Sequence, residues 1–193
     1  MNAETTDTEL VDDEMVGNLA RAALFAALLG AFAYVSFPNP VSLVPVTLQV
    51  LGVFLAGIFL GPVWGAVACG LYLLAGALGA PVFANGAAGL GVLLGPTAGY
   101  LLAYPLAALV IGAIAHGGRT LGEPDELGLG RLVGALALGT VVIYASGVLG
   151  LMAVQSLGPV EALLAGAAVF VPAELVKIAA AVGIVRSDAI AAA

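Results

Sequence analysis

The chain has 193 residues, a mass of 19.0 kDa and a formal net charge of −7 at pH 7. Hydrophobic side chains make up 62% of it and charged ones only 9%, whereas an ordinary soluble domain is about 25% charged. A surface in water needs more polar side chains than this, and five Lys and Arg residues are too few to neutralise nucleic-acid phosphates. The composition therefore excludes a soluble enzyme and a nucleic-acid binder, and it predicts a one-domain, all-α integral membrane protein.

The apolar part of the chain is long enough to cross a membrane several times. No Asp, Glu, Lys or Arg occurs in the 94 residues from Ala22 to Ala115. As one helix this run would extend about 140 Å at ~1.5 Å per residue, against a hydrocarbon core of ~30 Å. Lipid cannot satisfy free backbone groups, so each apolar segment between turn-rich breaks is predicted to be a helix. Six are expected: 19–37, 46–60, 63–79, 92–115, 132–154 and 160–185.

Polar sequence is confined to the two ends and one loop. Residues 1–18 contain six of the twelve acidic residues and are expected to form a disordered acidic tail. Residues 19–187 are expected to form the six-helix transmembrane domain, with a polar loop at 116–130. Residues 188–193 would be a short C-terminal tail.

The arginines predict the orientation. Six crossings put all four on one side of the membrane, and the three loops on the other side contain no Lys or Arg: the arginines are Arg21, Arg119, Arg131 and Arg186. Because basic residues favour the cytoplasmic side, both termini and the 116–130 loop are predicted to be cytoplasmic. The protein would then be a multi-pass protein of the cell (plasma) membrane.

One ionisable pair lies inside a predicted helix. Glu174 and Lys177 are three residues apart near the middle of the sixth segment, so they face the same side. A charged group at that depth costs ~2.5–3.5 kcal/mol on insertion scales, which makes the pair a functional candidate. The alternative is a neutralised pair that only packs the bundle. Pro172 removes a backbone hydrogen bond just before the pair and is expected to open the helix locally.

Neutral polar side chains and glycines gather in the segments predicted to face outwards. Glycine lets the backbone approach a ligand closely, and hydroxyl and amide groups form neutral hydrogen bonds. Turn chemistry and tight packing would explain each residue singly. Together they are expected to form a polar cap above the ionisable pair: Thr47, Gln49, Asn85, Gly89 and Tyr100.

Short catalytic motifs are missing. The sequence has no G-x-S-x-G, no H-E-x-x-H and no P-loop. Cys69 is the only cysteine, and His116, the only histidine, is expected to be a solvated loop residue, so no disulfide, metal site or cofactor is expected. The chain is therefore not expected to be an enzyme; a membrane enzyme with Glu174 as its acid–base group is the alternative.

Small residues recur along the first segment. Alanine pairs four residues apart allow close approach of another helix. The stripe would serve either packing inside the bundle or docking of another membrane subunit, and it contains Ala22, Ala23, Ala26 and Ala27.

Two motifs stand out in the sequence, P-V-T-L-Q at 45–49 and L-G-P-T-A-G-Y at 94–100. In this order they resemble the BioY family, the biotin-specific substrate-binding (S) component of energy-coupling factor (ECF) transporters. The resemblance extends from the first helix to the sixth. The sequence departs from the family at Glu174, where Asp is usual, and at Ala98, where a second Gly is usual.

The resemblance implies a six-helix bundle that captures biotin from the extracellular side. ATP would be hydrolysed by partner subunits, which dock through a transmembrane coupling subunit on the alanine stripe of the first helix. An S component for another vitamin, or a small self-sufficient secondary transporter that uses Glu174 as proton carrier, remains an alternative.

The resemblance also implies a set of ligand contacts. Lys177 would pair with the biotin carboxylate or hold Glu174 in place. Acceptors for the ureido N–H groups would be Glu174, Asn85 or Gln49, and Tyr100 and Phe83 would cover the rings. The expected substrate-binding residues are Glu174, Lys177, Asn85, Gln49, Thr47, Tyr100, Phe83 and Gly89.

Overall fold

The computed structural model describes residues 13–42, 44–118 and 128–187. Within these ranges the protein is mostly helical, with one short antiparallel strand pair. Its elements are α1 (Asp13–Tyr34), β1 (Ser36–Phe37), β2 (Val46–Thr47), α2 (Gln49–Ala77), α3 (Ala98–His116), α4 (Leu129–Gln155), α5 (Pro159–Gly166) and α6 (Val171–Val185). Short 3-10 turns lie at Ala84–Gly86, Leu90–Leu94 and Ala168–Phe170.

Five of the described helical stretches are long and apolar enough to cross a membrane: α1, α2, α3, α4 and the combined stretch Pro159–Val185. α2 packs against both α1 and α3, and α4 packs against α3. The expectations for residues 1–12, 119–127 and 188–193, with Arg119, fall outside the described residues.

The ends of the first predicted segment differ from the expectation. Residues 13–18, assigned to the disordered tail, are the first turns of α1, where Asp13 and Glu14 lie at the positive end of the helix dipole. At the other end, residues 36–37 form a strand rather than helix, because Ser36 pairs with Thr47 and Phe37 with Val46. This pairing closes the loop between them over one end of the bundle.

α2 covers the second and third predicted segments and reverses direction within its length. Gly61 has φ 73° and ψ −175°, a conformation that is essentially restricted to glycine, and Pro62 follows it. A Cβ atom on Gly65 would lie 2.8 Å from the carbonyl oxygen of Ala56, although nine residues of straight helix would separate them by ~13 Å. The two halves therefore pack side by side, with the turn where the sequence predicted one.

α3 closes this turn. Pro62 has no N–H, so the Ile58 carbonyl lacks its usual helical donor, and His116 Nε2 lies 2.7 Å from that oxygen. Gly112 allows α3 to pack closely against the turn, since a Cβ atom at this position would overlap the Pro62 nitrogen. His116 is thus a half-buried residue that satisfies a helix end, and the expectation of a solvated loop histidine was wrong.

The sixth predicted segment is broken in the middle. α5 ends at Gly166, and Ala167 takes the non-helical values φ −136° and ψ −56°. A 3-10 turn follows, and Pro172 lies in the first turn of α6, where its missing N–H would have no helical partner. The break places the buried side chain of Glu174 in the first turn of α6.

Candidate functional site

A cavity of about 200 Å³ lies beneath the loops that connect α1 to α2 and α2 to α3. Six of the eight expected binding residues line it: Thr47, Gln49, Phe83, Asn85, Tyr100 and Lys177. The loop residues Val44, Pro45 and Val46 close it from above. The fold therefore brings together residues that are up to 133 positions apart, since 177 − 44 = 133.

Two of the expected residues do not line the cavity. Glu174 lies beside it and pairs with Lys177. Gly89 takes φ 91° ahead of a 3-10 turn, and its N–H donates to the Gly76 carbonyl at 2.7 Å. Gly89 thus shapes the loop through its backbone and makes no wall of the cavity.

Of the ionisable pair, Lys177 lines the cavity floor and Glu174 lies behind it. Lys177 Nζ is 2.6 Å from Glu174 Oε1, and the Tyr144 hydroxyl donates to the same oxygen at 2.7 Å. Both charged side chains are buried, Glu174 with 3% and Lys177 with 5% of its surface exposed. Among the described residues Glu174 Oε2 has no hydrogen-bond partner. The charge of Lys177 at the floor is therefore balanced by Glu174 behind it, and the carboxylate keeps one acceptor oxygen unused.

A chain of neutral hydrogen bonds fixes the polar wall. Thr47 Oγ1 donates to Gln49 Oε1 at 2.9 Å, and Gln49 Nε2 donates to the Tyr72 hydroxyl. Strand β2 sets the position of Thr47 through its pairing with Ser36. The Gln49 amide is held in one orientation because both of its ends are engaged.

The rest of the cavity is aromatic, and sequence reasoning missed most of these rings. Tyr104, Tyr144 and Phe170 line it beside Tyr100. The rings of Tyr100 and Tyr144 meet edge to face at 5.7 Å, and the Tyr100 hydroxyl donates to the Gly166 carbonyl at 2.6 Å. Helical spacing was the available signal for Tyr104, since it lies four residues after Tyr100 on the same face.

Two cavity rings lie against glycines. A Cβ atom on Gly76 would overlap the Phe83 ring, and one on Gly147 would overlap the Tyr100 ring. Because these two positions have no side chain, the Phe83 and Tyr100 rings pack directly on the helix backbone and leave space in the cavity. The cavity thus combines flat apolar walls with a few oriented polar groups, as in pockets for small organic molecules.

A family model described as BioY family matches residues 2–192. The chain belongs to the BioY family. It is 39% identical over 172 residues to the biotin transporter BioY of Rhodobacter capsulatus, an overlap of 85% of this chain and 88% of the relative. It is 43% identical over 130 residues to the biotin transporter BioY of Thermotoga maritima, an overlap of 67% and 71%.

A solved structure has the same fold. The crystal structure of the S-component for biotin from an ECF-type ABC transporter superposes with a TM-score of 0.81 at 26% sequence identity, covering 91% of this chain and 92% of that one. The BioY relatives are named as transporters, which agrees with the expectation that this chain is not an enzyme. Among the described residues no group of His, Cys, Asp and Glu could hold a metal ion.

The alanines of the BioY chain's first helix divide between two faces. Ala22 is fully buried against Leu60 and Ala68, and Ala26 is half-buried. Ala23 and Ala27 are exposed. Of the four alanines expected to dock a partner, only these last two lie on an accessible face.

Proposed function

We propose that this BioY-family chain captures biotin at the extracellular side of the cell membrane, as the S component of an ECF-type transporter. One observation carries the proposal: six of the expected binding residues line a single aromatic cavity. The buried Lys177 at its floor is one of the six. The similarity to named biotin transporters over most of the chain supports the same ligand. No cofactor is involved, and biotin is the cargo.

The charge balance at the floor favours one ligand orientation. Glu174 and Lys177 already neutralise each other, so a biotin carboxylate placed there would add an uncompensated buried charge, which is costly. The ureido ring is neutral: its carbonyl can accept from the Lys177 ammonium that lines the cavity, and its N–H groups can donate to the unused Glu174 oxygen if the ligand reaches behind the floor. The rings would lie against Tyr100 and Phe83, and the carboxylate would lie near Asn85, where water can solvate it.

We propose six membrane crossings with both termini cytoplasmic. The reversal at Gly61 supports counting the halves of α2 as two crossings. Arg131 lies near the Gly61 end, since its Nε donates to the Ile114 carbonyl at 2.5 Å. The cavity is lined by loops of the opposite end, which in this orientation faces outwards.

Uptake against a gradient requires an energy source, and we propose that partner subunits provide it. The sequence has no P-loop, so ATP hydrolysis would belong to ATPase subunits joined through a transmembrane coupling subunit. The exposed alanines Ala23 and Ala27 are the proposed contact for that subunit.

Direct binding tests the proposed ligand. The protein, purified in detergent, is titrated with labelled biotin, and with thiamine and riboflavin as controls for other vitamin carriers. We expect saturable binding of biotin alone. Binding of another vitamin, or no binding by folded protein, would overturn the assignment to biotin. Accumulation of biotin by vesicles that contain this chain alone and a proton gradient would instead favour a secondary transporter.

A further inference from the structure

A second space lies outside the cavity, between α4 and α6. This cleft, defined by the residues that line it, has a volume of about 250 Å³ and is walled by Ala137, Thr140, Val141, Val171, Leu175 and Ile178, with Glu174 and Tyr144 on its inner side. Val141, Val171 and Leu175 are 59%, 52% and 62% exposed. Because both helices belong to membrane-spanning stretches, the cleft opens toward lipid acyl chains.

Tyr144 is the one described residue that lines both the cavity and the cleft. Its ring is held on the cavity side by Tyr100, and by Phe170 at a centroid distance of 5.6 Å. Its hydroxyl is fixed by Glu174 Oε1 at 2.7 Å. The side chain is therefore a rigid wall between two spaces, one of which opens to the bilayer.

We infer that Tyr144 is a specificity-determining residue: its ring closes the ligand cavity against the lipid and limits the size of the ligand end that reaches the floor. The inference rests on the proposed function, since it assumes that biotin enters ring-first toward Glu174 and Lys177. Without the Tyr144 ring, the cavity and the cleft would join into one space with an open end.

A series of biotin analogues tests the size limit. The analogues carry alkyl groups of increasing length on a ureido nitrogen, and their dissociation constants are compared with that of the N-methyl analogue, because every member of the series lacks the same N–H donor. In the parent chain we expect affinity to fall with the first added carbons by about tenfold or more. In Tyr144→Ala and Tyr144→Leu we expect this penalty to disappear and to stay absent for long chains, because the cleft accepts them.

Two control variants separate the wall from other effects. Tyr104→Ala removes an equal ring from the cavity, but Tyr104 does not line the cleft. In this variant only analogues with short alkyl groups should bind more tightly than they bind the parent. Tyr144→Phe keeps the ring and loses the hydrogen bond to Glu174, so its length limit should equal that of the parent. The same length limit in Tyr144→Ala, Tyr144→Leu and Tyr104→Ala would overturn the inference.

A second measurement needs no ligand and stays informative if biotin does not bind. Trp64 is the only tryptophan; it is replaced by Phe, and Phe170, a cavity residue next to Tyr144, is replaced by Trp. In bilayers with brominated acyl chains, which quench tryptophan at short range, we expect little quenching in the parent background and in Tyr144→Phe, but clear quenching in Tyr144→Ala. Equal quenching with and without the Tyr144 ring would overturn the inference that this ring closes the cavity against lipid. Failure of biotin binding alone would overturn only the proposed function.

Discussion

At the floor of the cavity, two opposite charges depend on each other. Glu174 and Lys177 are both nearly inaccessible to water, and the Tyr144 hydroxyl gives the carboxylate its other hydrogen bond. Removal of one member of a buried pair leaves a charge without compensation, whereas replacement of both by apolar residues is often neutral. The pair can therefore be tested separately for its part in stability and its part in binding.

The first prediction concerns this pair. Lys177→Met is expected to lower the free energy of unfolding by about 3–5 kcal/mol and to abolish biotin binding. The double variant with Glu174→Leu should recover most of the stability, because no unpaired charge remains, but not the binding. Reversible unfolding in detergent and equilibrium biotin binding measure the two effects. Parent-like biotin affinity in the double variant would contradict a role of the pair in the site.

The second prediction concerns Gly147, which supports the Tyr100 ring. Gly147→Ala places a methyl group where the ring lies, so the ring must move into the cavity, and overpacking of this kind costs about 1–3 kcal/mol. Biotin affinity is expected to fall about tenfold or more, as when a pocket loses the space of a methylene. Titration with labelled biotin checks the result.

Gly134→Ala is the matched control for this prediction. Gly134 lies on the same helix, α4, and a Cβ atom there would meet nothing within 4 Å. Its affinity for biotin should equal that of the parent. Equal biotin affinities of the Gly147→Ala and Gly134→Ala variants would show that the Tyr100 ring leaves the cavity open without a glycine at position 147.

At the level of elements, the breaks in the helices shape the site. The reversal at Gly61 creates a compact pair of short helices, and residues at the start of the first one line the cavity. The break between α5 and α6 brings the Phe170 ring to the cavity and places the buried side chain of Glu174 in the first turn of α6. Two uninterrupted helices could not place these side chains at that depth.

The third prediction concerns the contact between α3 and the Gly61 turn. Gly112→Ala puts a Cβ atom onto the Pro62 backbone, which cannot yield like a flexible side chain, so a loss of about 1–3 kcal/mol in the free energy of unfolding is expected. Thermal or denaturant unfolding in detergent measures it. Gly70→Ala, where a Cβ atom meets nothing within 4 Å, should be neutral or stabilise by about 0.5–1 kcal/mol. An unchanged free energy of unfolding in Gly112→Ala would mean that the Gly61 turn shifts to accommodate the added methyl group without cost.

At the level of the whole molecule, the bundle separates a ligand end from an outer helical face. The cavity is closed by the α1–α2 and α2–α3 loops, and Ala23 and Ala27 lie on the exposed side of α1. Neither alanine is among the residues that line the cavity. Capture of the ligand and energy-driven uptake can therefore be separated by mutation.

The fourth prediction uses this separation. Ala27→Leu adds bulk to the proposed docking face, and we expect uptake of biotin by cells that express the partner subunits to fall to near background, because close helix approach is blocked. Biotin binding by the purified variant should be unchanged. Ala145→Leu, at an exposed position of α4, is the control and should retain uptake. Normal uptake by Ala27→Leu would exclude this face as the docking contact.

Composition and local patterns were sufficient to predict the membrane class, most of the helical segments and several residues that line the candidate cavity. The 94-residue run without charges predicts several membrane-spanning helices, and the cost of ionisable groups in lipid singled out Glu174 and Lys177. The glycine and proline at 61 and 62 identified the turn in α2, because their backbone preferences are local.

Which side chains meet could be read only from the packed bundle. Tyr144 and Phe170 carry little local signal in apolar sequence, since an aromatic residue there could face lipid, core or ligand. The inward position of Ala22 and the contact of His116 with Ile58 likewise follow from how helices pack. Helix identity depends on neighbouring residues along the chain, whereas the rotation and depth of each helix depend on partners far away in sequence, and these fix the cavity and its wall.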